Sequence, residues 1–251
     1  MKKHTVGTKP LVSVVTVVFN DEEHIEKTIQ SVIRQTYDNI EYIIVDGFSS
    51  DATCSIINQY IENIDVFISE KDQGVYDAMN KAIQLAKGEW ILFLNSGDIF
   101  YDENVIDVVF SNYIDNGESM IYGDTIYYNP KTGERQKVIA RRVNNEKESF
   151  MPSCHQSIFT RANELKEHPF DLRYKVIADS NFYYELDKRN GKAKYTGTII
   201  SIYDSTGLSA RNKMRNLKEK YWMYYRHNNP KCLLYLIRII KNFVFNHDTK
   251  E

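Results

Sequence analysis

The sequence predicts an α/β protein built on a parallel, doubly wound sheet and followed by a helical extension. Three observations lead there. In residues 1–100, short β-branched runs alternate with segments of 3.6-residue periodicity. Polar clusters fall where those runs end, as in open sheets that bind ligands beyond the carboxyl ends of their strands. After residue 115 the pattern changes to a hairpin and then to cationic, apolar helices.

Each element has its own warrant. Residues 12–18 form a β-branched run interrupted only by Ser13 and Thr16, the pattern of a strand buried on both faces. Asn20 is placed to cap a helix whose Ile25, Ile29, Val32 and Ile33 share a face. Residues 41–45 are again strand-like. Ser49, Ser50 and Asp51 offer caps for a second helix with the stripe Ile56, Ile57 and Tyr60. A short strand follows at 66–68. Residues 75–86 fit a helix, with Met79, Ile83 and Ala86 at helical spacing and Gly88 ending it. Residues 90–94 make the fourth strand. Residues 120–128 and 136–140, separated by Asn129-Pro130-Lys131-Thr132-Gly133, read as a hairpin. A polar loop is expected at 141–149, a helix at 179–186, an extended segment at 199–203, and helices at 211–226 and 231–245. No repeat or Pro/Gly/Ser linker divides the chain, so one domain spans 1–210 with a tail at 211–251.

Composition excludes several classes. With 42% hydrophobic and 26% charged residues the chain is neither disordered nor fibrous. Thirty-two Lys and Arg nearly cancel 34 Asp and Glu, so no nucleic-acid signature appears. Cys54, Cys154 and Cys232 are far apart and without a CxxC pair, which reads as scattered thiols in a reducing compartment. No run of 18 apolar residues predicts a spanning helix, and the first apolar stretch is too short for a signal peptide. A cytoplasmic protein is expected. Its charge is unevenly spread: residues 211–251 carry ten Lys and Arg against three Asp and Glu, a net +7, leaving −9 for the rest.

Absent motifs narrow the chemistry. GxGxxG after the first strand, a P-loop and a GxSxG elbow are all missing. Three strand ends instead carry acids, at 19–21, 46–51 and 95–98. If they converge, an acidic crevice suits Mg²⁺ or Mn²⁺ standing between protein and substrate phosphates. Asp98 fits that role; a turn aspartate bonding its own backbone is the plainer reading.

The chain also carries four motifs in order: Val-Ser-Val-Val-Thr-Val-Val-Phe-Asn-Asp (12–21), Val-Asp-Gly-Phe-Ser-Ser-Asp-Ala-Thr (45–53), Ser-Glu-Lys-Asp-Gln-Gly-Val-Tyr-Asp-Ala-Met-Asn-Lys-Ala (69–82) and Phe-Leu-Asn-Ser-Gly-Asp (93–98). Together these resemble family 2 glycosyltransferases of GT-A fold, which move a sugar from a nucleotide-sugar to an acceptor hydroxyl. The likeness is close over 10–100 and looser to residue 209. Tyr-Asp-Ala-Met-Asn-Lys (76–81) resembles the branch that builds bacterial surface polysaccharides. The resemblance implies a mixed sheet, a nucleotide-sugar half at 10–100, an acceptor half at 101–210, a UDP-type donor and inverting transfer.

It also implies roles by position. Asp46, beside Ser49, corresponds to the acid that accepts a hydrogen bond from the nucleotide base, with Thr16, Val18 and Asn20 lining the same pocket. Asp72 and Gly74 lie where a loop approaches the donor. Asp77 and Lys81 are placed to touch sugar and diphosphate, although the spacing alone also describes an i,i+4 surface pair. Asn95 to Asp98 replaces the Asp-x-Asp metal motif, Asp98 keeping the metal while Gly97 stands where the family often has another acid. Asp179, at the start of a helix, takes the place of the general base; a helix cap is the compatible structural reading. His155 and Gln156, in Ser-Cys-His-Gln-Ser (153–157), fall on the acceptor side, and 204–209 resembles the closing loop.

The tail interleaves Tyr221, Trp222, Tyr224 and Tyr225, and then Leu, Ile and Phe residues, with Lys231, Arg238 and Lys241. That composition suits peripheral contact with an anionic membrane, or docking on the domain or another subunit. Nucleic acid is not an expected partner; a saccharide or lipid-linked saccharide acceptor is. Oligomeric state is not specified. The alternatives are a sugar-nucleotide nucleotidyltransferase, for which the first strand lacks a Gly-rich basic loop, and a non-catalytic nucleotide-sugar binder, against which both Asp98 and Asp179 argue.

Overall fold

The β-branched run at 12–18 lies in the interior of a sheet, where its lack of polar residues demands burial on both faces. The structure, a computed structural model, describes residues 9–111, 113–141 and 151–245. Strand β1 (Val12–Val18) pairs in parallel with β2 (Ile40–Asp46) and β4 (Trp90–Phe93), and β2 pairs in parallel with β3 (Val66–Ser69). Helices α1 (Ile25–Ile33), α2 (Thr53–Asn58) and α3 (Val75–Leu85) make the crossovers. The period-2 alternation sorts side chains into two cores. Val15, Val17, Ile43, Val45, Ile91 and Phe93 meet Met79, Ala82 and Ile83 of α3. Val12, Val14, Val18, Tyr42, Ile44 and Leu92 meet Ile25, Ile29 and Val32 of α1. Each fully buried aliphatic side chain contributes roughly 1.5–3 kcal/mol.

The second half makes the sheet mixed. Strand β8 (Ile158–Arg161) runs antiparallel to β4, and β6 (Met120–Asn129) antiparallel to β8. Strand β9 (Ala193–Asp204) lies parallel to β6, while β5 (Ile99–Phe100) closes antiparallel on β9. The expected hairpin is formed by β6 and β7 (Glu134–Val138). Helix α4 (Val105–Phe110) packs into the second core through Val105, Ile106, Val109 and Phe110. Helix α5 (Ala162–Glu167) follows β8, and α6 (Ala178–Lys188) contributes Phe182, Tyr183 and Leu186 to the first core. Neither β5 nor β8 was read as a strand from the sequence; β5 is only two residues long.

Three expectations need correcting. Asn20 does not cap α1, which starts five residues later; it holds a left-handed φ of 48° and accepts a hydrogen bond from the Ser50 amide at 2.8 Å. Ile33 leaves the apolar face and is exposed at the end of α1. The helix read at 211–226 is divided into α7 (Leu208–Arg211) and α8 (Lys213–Arg226) by Asn212. The loop read at 141–149 lies outside the described residues apart from Arg141.

The tail is packed on the domain. Met223 and Tyr224 of α8 are buried in the first core, and Tyr235 of α9 (Lys231–Phe245) stacks on Tyr224 with ring centroids 5.3 Å apart. Glu219 receives the backbone N–H groups of Lys175 and Val176 at 3.0 and 2.9 Å, tying α8 to the segment that leads into α6. Among the described residues, no helix is long and apolar enough to cross a membrane.

Candidate active site

Two buried carboxylates face one cleft. Asp98 sits in the turn between β4 and β5. Gly97 before it has φ 94°, a left-handed conformation that a side chain disfavours, so the acid common at this place in the family would be strained here. Thr28 of α1 fixes the turn: its hydroxyl accepts from the Gly97 amide at 3.0 Å and donates to the Asp98 carbonyl at 2.8 Å. The Asp98 carboxylate accepts from Gln156 Nε2 at 2.7 Å and from the Asp204 amide at 3.0 Å. Burial nevertheless pushes its pKa up to about 7, the two hydrogen bonds pulling the other way.

Asp179 opens α6 and is held on three sides. The Tyr76 hydroxyl donates to Oδ1 at 2.9 Å, the Ser180 amide to the same oxygen at 2.7 Å, and His155 Nδ1 to Oδ2 at 2.9 Å. Burial alone would raise this acid, but these bonds outweigh it and hold the carboxyl below the usual range. Asp179 is therefore ionised at neutral pH. On its far side the His155 ring meets Asn95: Nδ2 lies 3.2 Å from Nε2, so the neutral Nδ1–H tautomer satisfies both contacts. One 3₁₀ turn, His155–Ser157, thus sends adjacent side chains to the two carboxylates, His155 to Asp179 and Gln156 to Asp98.

The cleft between them has a volume of about 1620 Å³. Val18, Asn20, Asn95, Asp98, His155, Gln156 and Asp179 all line it, so the β1 and β4 ends do converge with the acceptor-side turn. Thr16 does not reach it. That side chain is fully buried, its hydroxyl donating to the Leu94 carbonyl at 2.8 Å. Asp46 is also withdrawn from the surface: Ser69 Oγ donates to Oδ2 at 2.6 Å, Cys54 Sγ approaches at 3.2 Å, and the Ser49 amide and hydroxyl complete the set. Burial raises this acid, and the hydroxyl and amide donors more than reverse it. Asp46, Ser49, Asp72, Gly74, Asp77 and Lys81 lie outside the cleft walls.

They form an adjoining ledge. A Cβ on Gly47 would stand 2.6 Å from Asp72 Oδ2 and 3.2 Å from the Phe19 ring, so only glycine permits this approach. Exposed Phe19 and Phe48 flank it, with Lys71 Nζ 5.8 Å from the Phe48 ring centre. Asp72 accepts from the Gly74 amide at 2.8 Å, and Asp77 receives the Gln73 amide at 3.0 Å in the first turn of α3. Lys81 pairs with Glu70 at 2.8 Å, nearer than Asp77 at 3.8 Å.

Sequence reasoning missed Tyr76 as a partner of Asp179 and the Asp204 amide as a partner of Asp98. It also missed Asp21, which lines the cleft and accepts from His24 Nδ1 and Ser96 Oγ, both at 2.6 Å. Asp21 sits within the polar cluster at the β1 end, the one signal that pointed to it.

Among the described residues no three acids, histidines or cysteines gather as a metal cluster. However, Gln156 turns its Nε2 to Asp98, and its Oε1 and Asn95 Oδ1 are buried without a hydrogen-bond partner. One carboxylate and two orphaned amide oxygens are the hard donors that Mg²⁺ or Mn²⁺ takes when substrate phosphates complete its shell.

The family model for glycosyl transferase family 2 matches residues 13–172, more than half of the chain. The chain belongs to that family. A PGL/p-HBAD biosynthesis glycosyltransferase of Mycobacterium bovis is 32% identical over 210 residues, covering 79% of this chain and 78% of the relative. Among solved structures, Staphylococcus aureus TarS 1-349 in complex with UDP superposes with TM-score 0.65 at 16% identity, over 86% of this chain and 64% of that one. The mannosyltransferase PcManGT of Pyrobaculum calidifontis, in complex with GDP-Man and Mn²⁺, gives TM-score 0.67 at 14% identity, over 88% and 64%. The family 2 chain thus spans less than two thirds of these neighbours, which share its GT-A fold.

Proposed function

We propose that this glycosyltransferase moves a sugar from a nucleotide-diphosphate sugar of UDP type to a saccharide or lipid-linked saccharide, with inversion, in bacterial surface polysaccharide synthesis at the cytoplasmic face of the membrane. The observation that carries the reading is the pair Asp98 and Asp179, held in one cleft by adjacent residues of the His155–Ser157 turn. The nucleotide lies on the Gly47 ledge, its base near Asp46 and its diphosphate beside Asp98. Asp98, with the amide oxygens of Asn95 and Gln156, would hold Mg²⁺ or Mn²⁺, and the cation would supply positive charge to offset that of the leaving diphosphate. Asp179 takes the proton of the acceptor hydroxyl as that oxygen bonds the anomeric carbon and the nucleoside diphosphate departs with the electrons of the broken C–O bond. One displacement inverts the anomeric centre.

A melting-point screen of nucleotides and nucleotide-sugars, with and without Mn²⁺, tests the reading, because a ligand that binds only the native state raises the midpoint. Stabilisation by a UDP-sugar that requires the cation is expected. If no nucleotide or nucleotide-sugar shifts the midpoint under either condition, the assignment fails.

A further inference from the structure

Helix α8 turns one stripe toward the cleft: Lys213, Asn216, Leu217, Lys220 and Tyr224 all line it, at helical spacing. Lys220 differs from the cleft's other basic side chains, of which Arg141 is exposed to water. His24 and His155 are bonded to Asp21 and Asp179, and Arg211 Nε donates to the Thr206 carbonyl at 2.9 Å. Lys213 is exposed to water, whereas Lys220 is half-buried. Among the described residues, Lys220 makes neither a hydrogen bond nor an ion pair. The Asp179 charge acts on Lys220 through space, without a hydrogen bond or ion pair between them. Withdrawing an ammonium from water without a partner is costly, and proteins seldom do it where no anion is to be met. Burial depresses the Lys220 pKa, the Arg238 charge adds to that, and Asp179 opposes it.

Leu217, Tyr224 and Tyr235 give the same cleft apolar and aromatic wall, and Ser180, which follows Asp179 on α6, lines it too. Under the reading proposed above, on which this inference rests, the acceptor hydroxyl must reach Asp179. A group that meets Lys220 at the same time therefore belongs to the acceptor. We propose that Lys220 is the anion-recognising residue of the acceptor subsite, and that the acceptor carries a phosphate or carboxylate close to its reacting hydroxyl with an apolar portion against α8 and α9.

The test uses the full chain and three soluble amphiphiles of equal tail: octyl phosphate, octyl glucuronide and octyl glucoside. Calorimetry with wild type, Lys220→Gln and Lys220→Arg is run beside titrations of UDP and GDP with Mn²⁺. One of the two anionic probes should bind the wild type at least about tenfold more tightly than octyl glucoside, and which one does so identifies the group as phosphate or carboxylate. Lys220→Gln should lose that preference, Lys220→Arg should keep most of it, and nucleotide affinity should be the same in all three. Equal binding of charged and neutral probes, or a preference that survives in Lys220→Gln, overturns the assignment. A loss of nucleotide affinity in Lys220→Gln would place the lysine on the donor instead and overturn it equally. Absence of nucleotide binding in the wild type strikes the glycosyltransferase reading itself, and the acceptor assignment falls with it.

Discussion

Asp98 and Asp179 are both buried, yet their surroundings push them in opposite directions, and each direction has a measurable consequence. Asp98 has its pKa raised from 3.8 to about 7, so the fold retains a proton that the unfolded chain releases. The stability this group contributes is present below its unfolded value and is lost as pH rises through about 7. Asp98→Asn keeps the shape without the ionisation. Metal-free, its melting point should fall less than that of the wild type between about pH 5 and pH 8. The same variant should lose the Mn²⁺-dependent stabilisation by UDP, since a cation needs the ionised carboxylate. Identical pH profiles in the two proteins would show that Asp98 is not the buried titrating group. Asp179, held ionised, should behave as a base: Asp179→Asn should lower kcat on the order of 10²–10⁴ with nucleotide affinity nearly unchanged. Asp46→Ala should do the reverse, weakening nucleotide binding more than turnover, and equal affinity losses in both variants would contradict this division. Both carboxylates were legible in the sequence because each sits in a motif. Their partners were not: Tyr76 lies 103 residues from Asp179 and Asp204 lies 106 from Asp98, pairings that only the folded sheet creates.

At the level of elements, periodicity told most where it had room to repeat. Strands β1, β2 and β3 and helices α3 and α9 lie where the pattern put them, since each is long enough or apolar enough to show its period. No element was read at β5, α4, β8 or α5, each six residues or fewer, and α1 was started too early, at the left-handed Asn20. Docking of the tail on the domain was one of two readings the sequence left open. Its anchor was hidden, because a glutamate in a cationic helix reads as an ordinary i,i+4 partner of Arg215, which it also is at 2.9 Å. In the fold, Glu219 accepts the amides of Lys175 and Val176, three residues before Asp179 at the nearer one. Glu219→Ala leaves both donors without their acceptor and should cost about 1–3 kcal/mol, a fall of roughly 2–4 °C in melting point for each kcal/mol. Glu219→Gln keeps one acceptor oxygen and should cost less. Because the loosened segment leads into α6, kcat of the alanine variant should fall as well. A melting point unchanged in Glu219→Ala would mean that α8 is held by Met223 and Tyr224 alone.

Across the whole molecule, charge and apolar surface are separated along the chain. Acids sit at the strand ends of the cleft, and α8 and α9, with eight Lys and Arg against one acid, contribute to its wall. Packing explains half of the tail: α8 and the inner face of α9 are buried through Met223, Tyr224 and Tyr235. It does not explain the outer face, where Leu233, Leu236, Ile237 and Ile240 form an exposed stripe, extended on α8 by Trp222 and Tyr225. Lys241 is exposed near the stripe, whereas Arg238 lies over the Tyr235 ring, 5.3 Å from its centre, and α9 contains no acid. Cations beside exposed aliphatic and aromatic side chains suit the boundary of an anionic leaflet, each Lys or Arg near it adding about 1 kcal/mol. Such contact would bring the acceptor cleft to lipid-linked substrates without a spanning helix. The full chain should therefore co-sediment with anionic liposomes at low salt, less so as added salt shortens the screening length to about 8 Å near physiological ionic strength. Leu233→Ser, Ile237→Ser and Ile240→Ser together should abolish co-sedimentation while leaving melting point and UDP binding near wild type, because these side chains are half or more exposed. If the wild type stays in the supernatant at low salt and elutes as a dimer that the triple variant splits, the stripe is a subunit interface and the membrane assignment is wrong.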